Sequence, residues 1–208
     1  IEVDGESYKV VDEEMLKIMI SKNDDVTYVC TSKITSMNNM FTTTFNQDIS
    51  SWDVSNVTNM NSMFHDALAF NQPIGNWDVS NVTQMNSMFG VREDDWEGHK
   101  SNFNQPLNNW DVSSVTTMES MFYNNTVFNQ DISSWDVSNV NSMTYMFYKA
   151  ENFNQPIGNW DVSSVTTMQS MFKESAFNQD ISAWDVSNVT NMSEMFKNTP
   201  FNQPIGDW

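Results

Sequence analysis

The chain has 208 residues with 27 acidic and 9 basic side chains, a net charge of −18 and one cysteine. A phosphate backbone would be repelled by that balance, no basic stripe offsets it, and direct nucleic-acid binding is excluded as a function class. No apolar run reaches membrane-spanning length, which argues against membrane insertion, and Cys30 alone cannot close an intrachain disulfide.

The first 33 residues stand apart from the rest of the chain. Asp12 is a good N-cap for an apolar helix through Met15, Leu16, Ile18, Met19 and Ile20, and Val26 to Cys30 alternates weakly as a strand does. Residues 1–33 therefore read as an N-terminal cap covering the first turn of a stack. Ile34, Met37, Met40 and Phe41 supply a partial first repeat.

From residue 34 onward one phrase recurs. Trp52, Trp77, Trp110, Trp135, Trp160, Trp184 and Trp208 fall 24 or 25 residues apart, with a single interval of 33 after Trp77. The first six open a phrase read in the second copy as Trp77-Asp78-Val79-Ser80-Asn81-Val82-Thr83-Gln84-Met85-Asn86-Ser87-Met88-Phe89. Phe-Asn-Gln, beginning at Phe45, Phe70, Phe103, Phe128, Phe153, Phe177 and Phe201, announces each new copy. Such periodicity predicts an α/β solenoid, a leucine-rich-repeat-like stack of short strands and short helices with a 24–25-residue repeat over residues 34–208.

Within one copy, Ile49, Trp52, Val54 and Val57 take the apolar spacing of a leucine-rich repeat. Trp52 and Val54 should point inward from a short strand, with Asp53 and Ser55 on its open face. Val57, Met60, Met63 and Phe64 then fit one side of a short helix or a pair of helical turns, with Ser55 or Asn56 as N-cap. Fourteen of the sixteen methionines lie in this Met-x-x-Met column, a pattern of core filler rather than soft-metal ligation. The Asn of Phe-Asn-Gln should bond backbone amides or form an amide ladder between coils. The next position alternates between Asp48, Asp131, Asp180 and Pro73, Pro106, Pro156, Pro204, two ways to begin one tight turn.

The 33-residue interval marks an insertion at about residues 90–100 of a return loop, where solenoids often carry contact residues. Its Trp96 either covers the adjoining coil or offers an aromatic platform to a partner or sugar. Glu93, Asp94, Asp95 and Glu97 beside it are weak calcium candidates, because their spacing does not match an EF-hand loop.

Six aspartates, Asp53, Asp78, Asp111, Asp136, Asp161 and Asp185, recur at one coil position and should form a carboxylate column. Two readings stay open. Each Asp accepts bonds from Ser or Asn side chains and amides of the next turn, or the column binds weak calcium or a basic ligand surface. The net charge carries the same choice between solubility and a functional acidic face. An enzyme is not expected. His65 and His99 occupy unrelated repeat positions, neither begins a zinc motif, and no base recurs with the Ser–Asp pairs. The chain stops at Trp208, where another strand should begin. The expectation is a longer parent array without a C-terminal cap in this segment, whose open coil could pair end to end with another copy.

The motif Phe-Asn-Gln-(Asp/Pro)-Ile-x-x-Trp-Asp-Val-Ser-x-Val-Thr-x-Met-x-x-Met-Phe resembles the BspA-like leucine-rich-repeat surface proteins, also described as the DUF285 repeat family. That resemblance implies a secreted or cell-surface array, with adhesion to an extracellular protein or glycan as one role. It leaves two classes: a binding module using the strand-lined face or the insertion loop, and a structural spacer that displays another domain. Proteins of one architecture host many functions, so fold does not choose between them.

Overall fold

A computed structural model describes residues 2–3, 6–92, 99–206 and 208. The N-terminal segment begins with β1 (Glu2–Val3) and β2 (Glu6–Ser7), an antiparallel pair, followed by β3 (Lys9–Val10). Next come α1 (Glu13–Ser21) and β4 (Val29–Cys30), which pairs in parallel with β3. Asp12 caps α1 as its sequence predicts, its carboxylate accepting from the Met15 amide at 2.8 Å, and Glu13 and Glu14 complement the positive end of the helix. Leu16, Met19 and Ile20 are buried by this helix, whereas Met15 and Ile18 remain exposed. Side-chain bonds join the segment to the first repeat: Gln47 Oε1 accepts from the Val26 amide and its Nε2 donates to the Asp24 carbonyl, Trp52 Nε1 donates to the Val26 carbonyl, Thr31 Oγ1 to the Asp53 carbonyl and Asn56 Nδ2 to the Ser32 carbonyl.

Beyond residue 34, equivalent atoms of successive repeats bond to one another. Parallel bridges connect Ser36, Asn59, Gln84, Thr117, Ser142, Thr167 and Asn191 in one unbroken series. Expected strand and observed bridge do not coincide: the bridging column lies at the residue before the first Met, not at Trp52–Val54. In the second coil, the amides of Met60, Ser62, Phe64 and Asp66 donate to the carbonyls of Gln84, Asn86, Met88 and Gly90. Between them, the Met63 and His65 amides close local turns on Met60 and Ser62. A helix would keep all these amides for itself; here alternate ones leave for the neighbouring coil.

Val57–Phe64, expected as a short helix or a pair of helical turns, accordingly takes the form of turns. Ser62 and Asp66 sit at φ of 54° and 59°, in the left-handed region, and each interrupts helical propagation. The same two columns recur through the stack, the first as Ser87, Ser120, Tyr145, Ser170 and Glu194, the second as Asn124, Lys149, Glu174 and Asn198.

The core is aromatic and sulfur-rich. Paired phenylalanines stack within each coil, as in Phe122–Phe128 at 4.0 Å between centroids, and between coils, as in Phe122–Phe147 at 5.6 Å. Met60, Met85, Met118, Met143 and Met168 are wholly buried, filling the column the sequence assigned to core. Each interior Trp lies flat against the stack while its indole N–H finds a carbonyl in the preceding coil. Trp77, Trp110, Trp135, Trp160 and Trp184 donate to Ile49, Ile74, Leu107, Ile132 and Ile157. Burying an indole without that acceptor would cost about 1–3 kcal/mol. This recurring bond fixes where each coil sits on the last.

Polar ladders edge the core. The Oδ1 of Asn46, Asn71, Asn104, Asn129, Asn154 and Asn178 accepts the amide of the Asn one coil later, at 2.9–3.0 Å. This is the amide ladder expected of Phe-Asn-Gln. Thr58, Thr83, Thr116, Thr166 and Thr190 make a second, their hydroxyls donating to the carbonyl of the preceding coil's equivalent residue. Two of the proline copies carry a glycine two residues on that leaves no room for a side chain: a Cβ on Gly75 would meet the Pro106 carbonyl at 2.6 Å, and one on Gly158 the Asp180 carbonyl at 2.3 Å. Glycine is required there because the next coil's backbone occupies the side-chain position.

Candidate functional site

The six-aspartate column is present on the exposed side of the stack, but its bonding differs from the expectation. Each carboxylate folds onto the Ser two residues later in its own coil, not onto the next turn. The amides of Ser55, Ser80, Ser113, Ser138, Ser163 and Ser187 donate to Oδ1 of Asp53, Asp78, Asp111, Asp136, Asp161 and Asp185 at 3.0–3.1 Å. The hydroxyls of Ser55, Ser80 and Ser113 donate to the same oxygen at 2.6 Å. An Asx turn of this kind is closed by chain proximity alone.

Those bonds decide the electrostatics of the column. Hydrogen bonds from the partner Ser hold Asp78, Asp136, Asp161 and Asp185 below the ordinary carboxylate range. Repulsion from the next aspartate opposes this for Asp136 and Asp161, yet it ranks behind the Ser bonds and behind desolvation. Like charges one coil apart are therefore tolerated because local donors outweigh mutual repulsion in an exposed, solvated row. Asp48, Asp131 and Asp180 are held the same way by the amides of Ser50, Ser133 and Ser182.

Among the described residues, no group of three or more His, Cys, Asp or Glu side chains is placed to hold a metal ion. Trp96, Glu93, Asp94, Asp95 and Glu97 lie outside the described residues. What the structure does define is the base of their loop. Asp66, only 13 % exposed, binds Arg92 through Nε at 2.6 Å and through the backbone amide at 2.8 Å, and His65 Nδ1 approaches it at 3.2 Å. Val91 is buried and donates its amide to the Tyr123 carbonyl, while the Asn102 amide returns to Leu68. The insertion thus leaves and rejoins the stack at fixed points.

A second cluster is not picked out by the consensus. Tyr123, Tyr145 and Tyr148 come from two adjacent coils: Tyr123 stacks on Tyr148 at 4.7 Å, and Tyr145 meets both edge-on at 6.2 and 5.8 Å. The ammonium groups of Lys149 and Lys173 lie 5.6 and 5.5 Å from the Tyr148 ring centroid, within cation–π range. Glu194 accepts from Lys173 and Lys197 at 2.7 Å each, which holds its carboxyl at about 2, and Lys149 stands 3.8 Å from Glu174. The sequence signal for this cluster is where repeats differ: the residue after Met-x-x-Met-Phe reads His65, Gly90, Tyr123, Tyr148, Lys173 and Lys197.

No helix among the described residues is long and apolar enough to cross a membrane. No curated protein and no solved structure matches the chain. The family described as "Mycoplasma protein of unknown function, DUF285" matches residues 12–94 and 96–176, well over half the sequence and spanning both the N-terminal helix and the repeats. On that coverage, the chain belongs to the DUF285 family.

Proposed function

We propose that this chain is a non-catalytic binding module of the BspA-like, leucine-rich-repeat-like solenoid type, secreted or held at a cell surface, that adheres to an extracellular protein or glycan. One observation carries the reading. The consensus polar columns spend their bonds within and between coils, whereas residues that depart from the consensus gather on one side, where Tyr123 accepts a backbone bond from the stem of the insertion. Recognition in a repeat array belongs to positions free to vary, because the constant ones are committed to stacking. Calcium enters only as a weak ligand of the acidic columns. The recurring Ser–Asp pairs are turn bonds, which supports a non-enzymatic reading.

A specific observation favours the second reading, a spacer that displays another domain. Each of the six column aspartates has its own Ser donor, so a regular face of this kind needs no ligand. The two separate in a binding assay against immobilised matrix proteins and a glycan array. A variant in which residues 92–99 are shortened and Tyr123, Tyr145 and Tyr148 are replaced by Ser is the comparison. Saturable binding by the natural chain that the variant loses supports the module; no binding by either supports the spacer.

A further inference from the structure

The tyrosine–lysine cluster carries an inference that rests on the binding reading and deepens it. Tyr145 occupies the left-handed position at φ 58°, the column filled by Ser62, Ser87, Ser120 and Ser170 in other coils. A bulky aromatic is an uncommon occupant of that region, and four serines show that the stack does not require one. Its ring is half-buried outside the core, and its hydroxyl accepts from Gln169 Nε2 at 3.1 Å. Strain is thus spent on a side chain that the core does not use.

The surroundings are ordered in advance. Tyr148 is held between the Tyr123 ring and the two lysines, and Lys173 and Lys197 are fixed by their shared Glu194. A partner meeting these groups loses little further side-chain freedom, which is the usual advantage of a preorganised surface. Ring faces are largely occupied, so the cluster offers edges, phenolic hydroxyls and ammonium groups rather than a flat platform for a sugar. Burial keeps the phenols of Tyr123 and Tyr148 protonated further into the alkaline range, which preserves them as donors. Three of the nine basic residues of a chain of net charge −18 stand here beside only Glu174 and Glu194, so three ammonium groups face two carboxylates, and an acidic segment meets less repulsion at this place than on the aspartate face.

We propose that Tyr123, Tyr145, Tyr148, Lys149, Lys173 and Lys197 form a protein-recognition surface for a segment bearing clustered Asp and Glu side chains. The partner's carboxylates accept from the Tyr145 phenol and the lysine ammonium groups, and its apolar atoms cover the tyrosine edges, with the buried Tyr148 ring backing the surface.

The test uses the full chain and a fluorescein-labelled ten-residue Glu/Gly peptide in anisotropy titrations, with a sulfated heparin oligosaccharide as the second probe. Saturable peptide binding that weakens at least ten-fold in Tyr145→Ser and again in Lys173→Gln is expected, with affinity falling as salt rises. Tyr145→Ser restores the residue used by four other coils, so it should fold, and circular dichroism melting verifies this. Equal affinity of wild type and Tyr145→Ser, or no peptide binding at millimolar concentration, overturns the proposal. Heparin binding without peptide binding also overturns it, in favour of an anionic glycan. If Tyr145→Ser still binds a target found among the matrix proteins or glycans, this surface fails while the binding module stands.

Discussion

Replacing Trp135 by Ala tests the central packing claim, because this residue joins three kinds of contact. Its indole is 3 % exposed, stacks on Trp160 at 6.4 Å between centroids, packs near Phe122 at 6.5 Å, and donates to the Leu107 carbonyl at 2.9 Å. Truncation opens a cavity in mid-stack and should cost about 3–5 kcal/mol. Loss of the indole donor leaves the Leu107 carbonyl without that partner and adds about 1 kcal/mol. Trp135→Phe should recover most of the first contribution and none of the second. Urea denaturation followed by tryptophan fluorescence and far-ultraviolet circular dichroism gives both values by linear extrapolation, provided the two probes coincide. In a domain of this size, about 4 kcal/mol corresponds to a drop in Tm of roughly 8–16 °C. A midpoint for Trp135→Ala within about 1 kcal/mol of wild type would refute inward stacking of the tryptophan column.

Other expectations are local. Gly158→Ala should destabilise by about 1–3 kcal/mol, since the new methyl meets the Asp180 carbonyl; Gly206→Ala, with nothing within 4 Å, should be close to neutral by the same thermal melt. Asn154→Ala removes the acceptor of the Asn178 amide and should cost about 1 kcal/mol, whereas Asn154→Asp keeps an oxygen there and should retain most of that stability in urea titration. Acid should weaken the stack in a defined direction: Asp78, Asp136, Asp161 and Asp185 titrate lower when folded, so their contribution is present above the unfolded carboxylate range and is lost as pH falls through the folded values. Melting temperature should therefore decline from about pH 4 downward, and Ser80→Ala, which removes the hydroxyl bonded to Asp78, should shrink the decline by raising Asp78; a flat profile between about pH 5 and pH 2 would contradict the Ser–Asp turn bonds.

Some of this arrangement is legible in the residues alone. Register, the inward Trp and Val, the methionine column and the asparagine ladder come from a repeat that can bury its apolar atoms only against copies of itself. The α1 helix is legible because Asp12 and an apolar run state its start. The misleading signal is Val57-x-x-Met60-x-x-Met63-Phe64: spacing by three satisfies a helix and a series of tight turns equally, and only the left-handed φ at Ser62 and Asp66 separates them. The bridge at Asn59 is hidden for the same reason, since a polar residue beside a buried Met carries no strand alternation. The aspartate column is evident from its recurrence, but its donors lie on the Ser two residues on, nearer than the neighbouring coil where they are expected. Tyr145 escapes notice because a consensus directs attention to what recurs, and its meaning lies in departing from the serines at the same position.

The 33-residue coil has a consequence for how such arrays change. Across it, Trp110 Nε1 still donates to Ile74 at 3.0 Å, the Thr116 amide to Thr83 at 3.0 Å and the Asn104 amide to Asn71 at 3.0 Å, distances indistinguishable from those of the shorter coils. Coils are thus counted by their bonded atoms and not by their residues. A foreign segment grafted between positions 92 and 99 would meet a frame whose register is already settled on both sides, so the array can acquire new sequence at that loop while its neighbours remain in place.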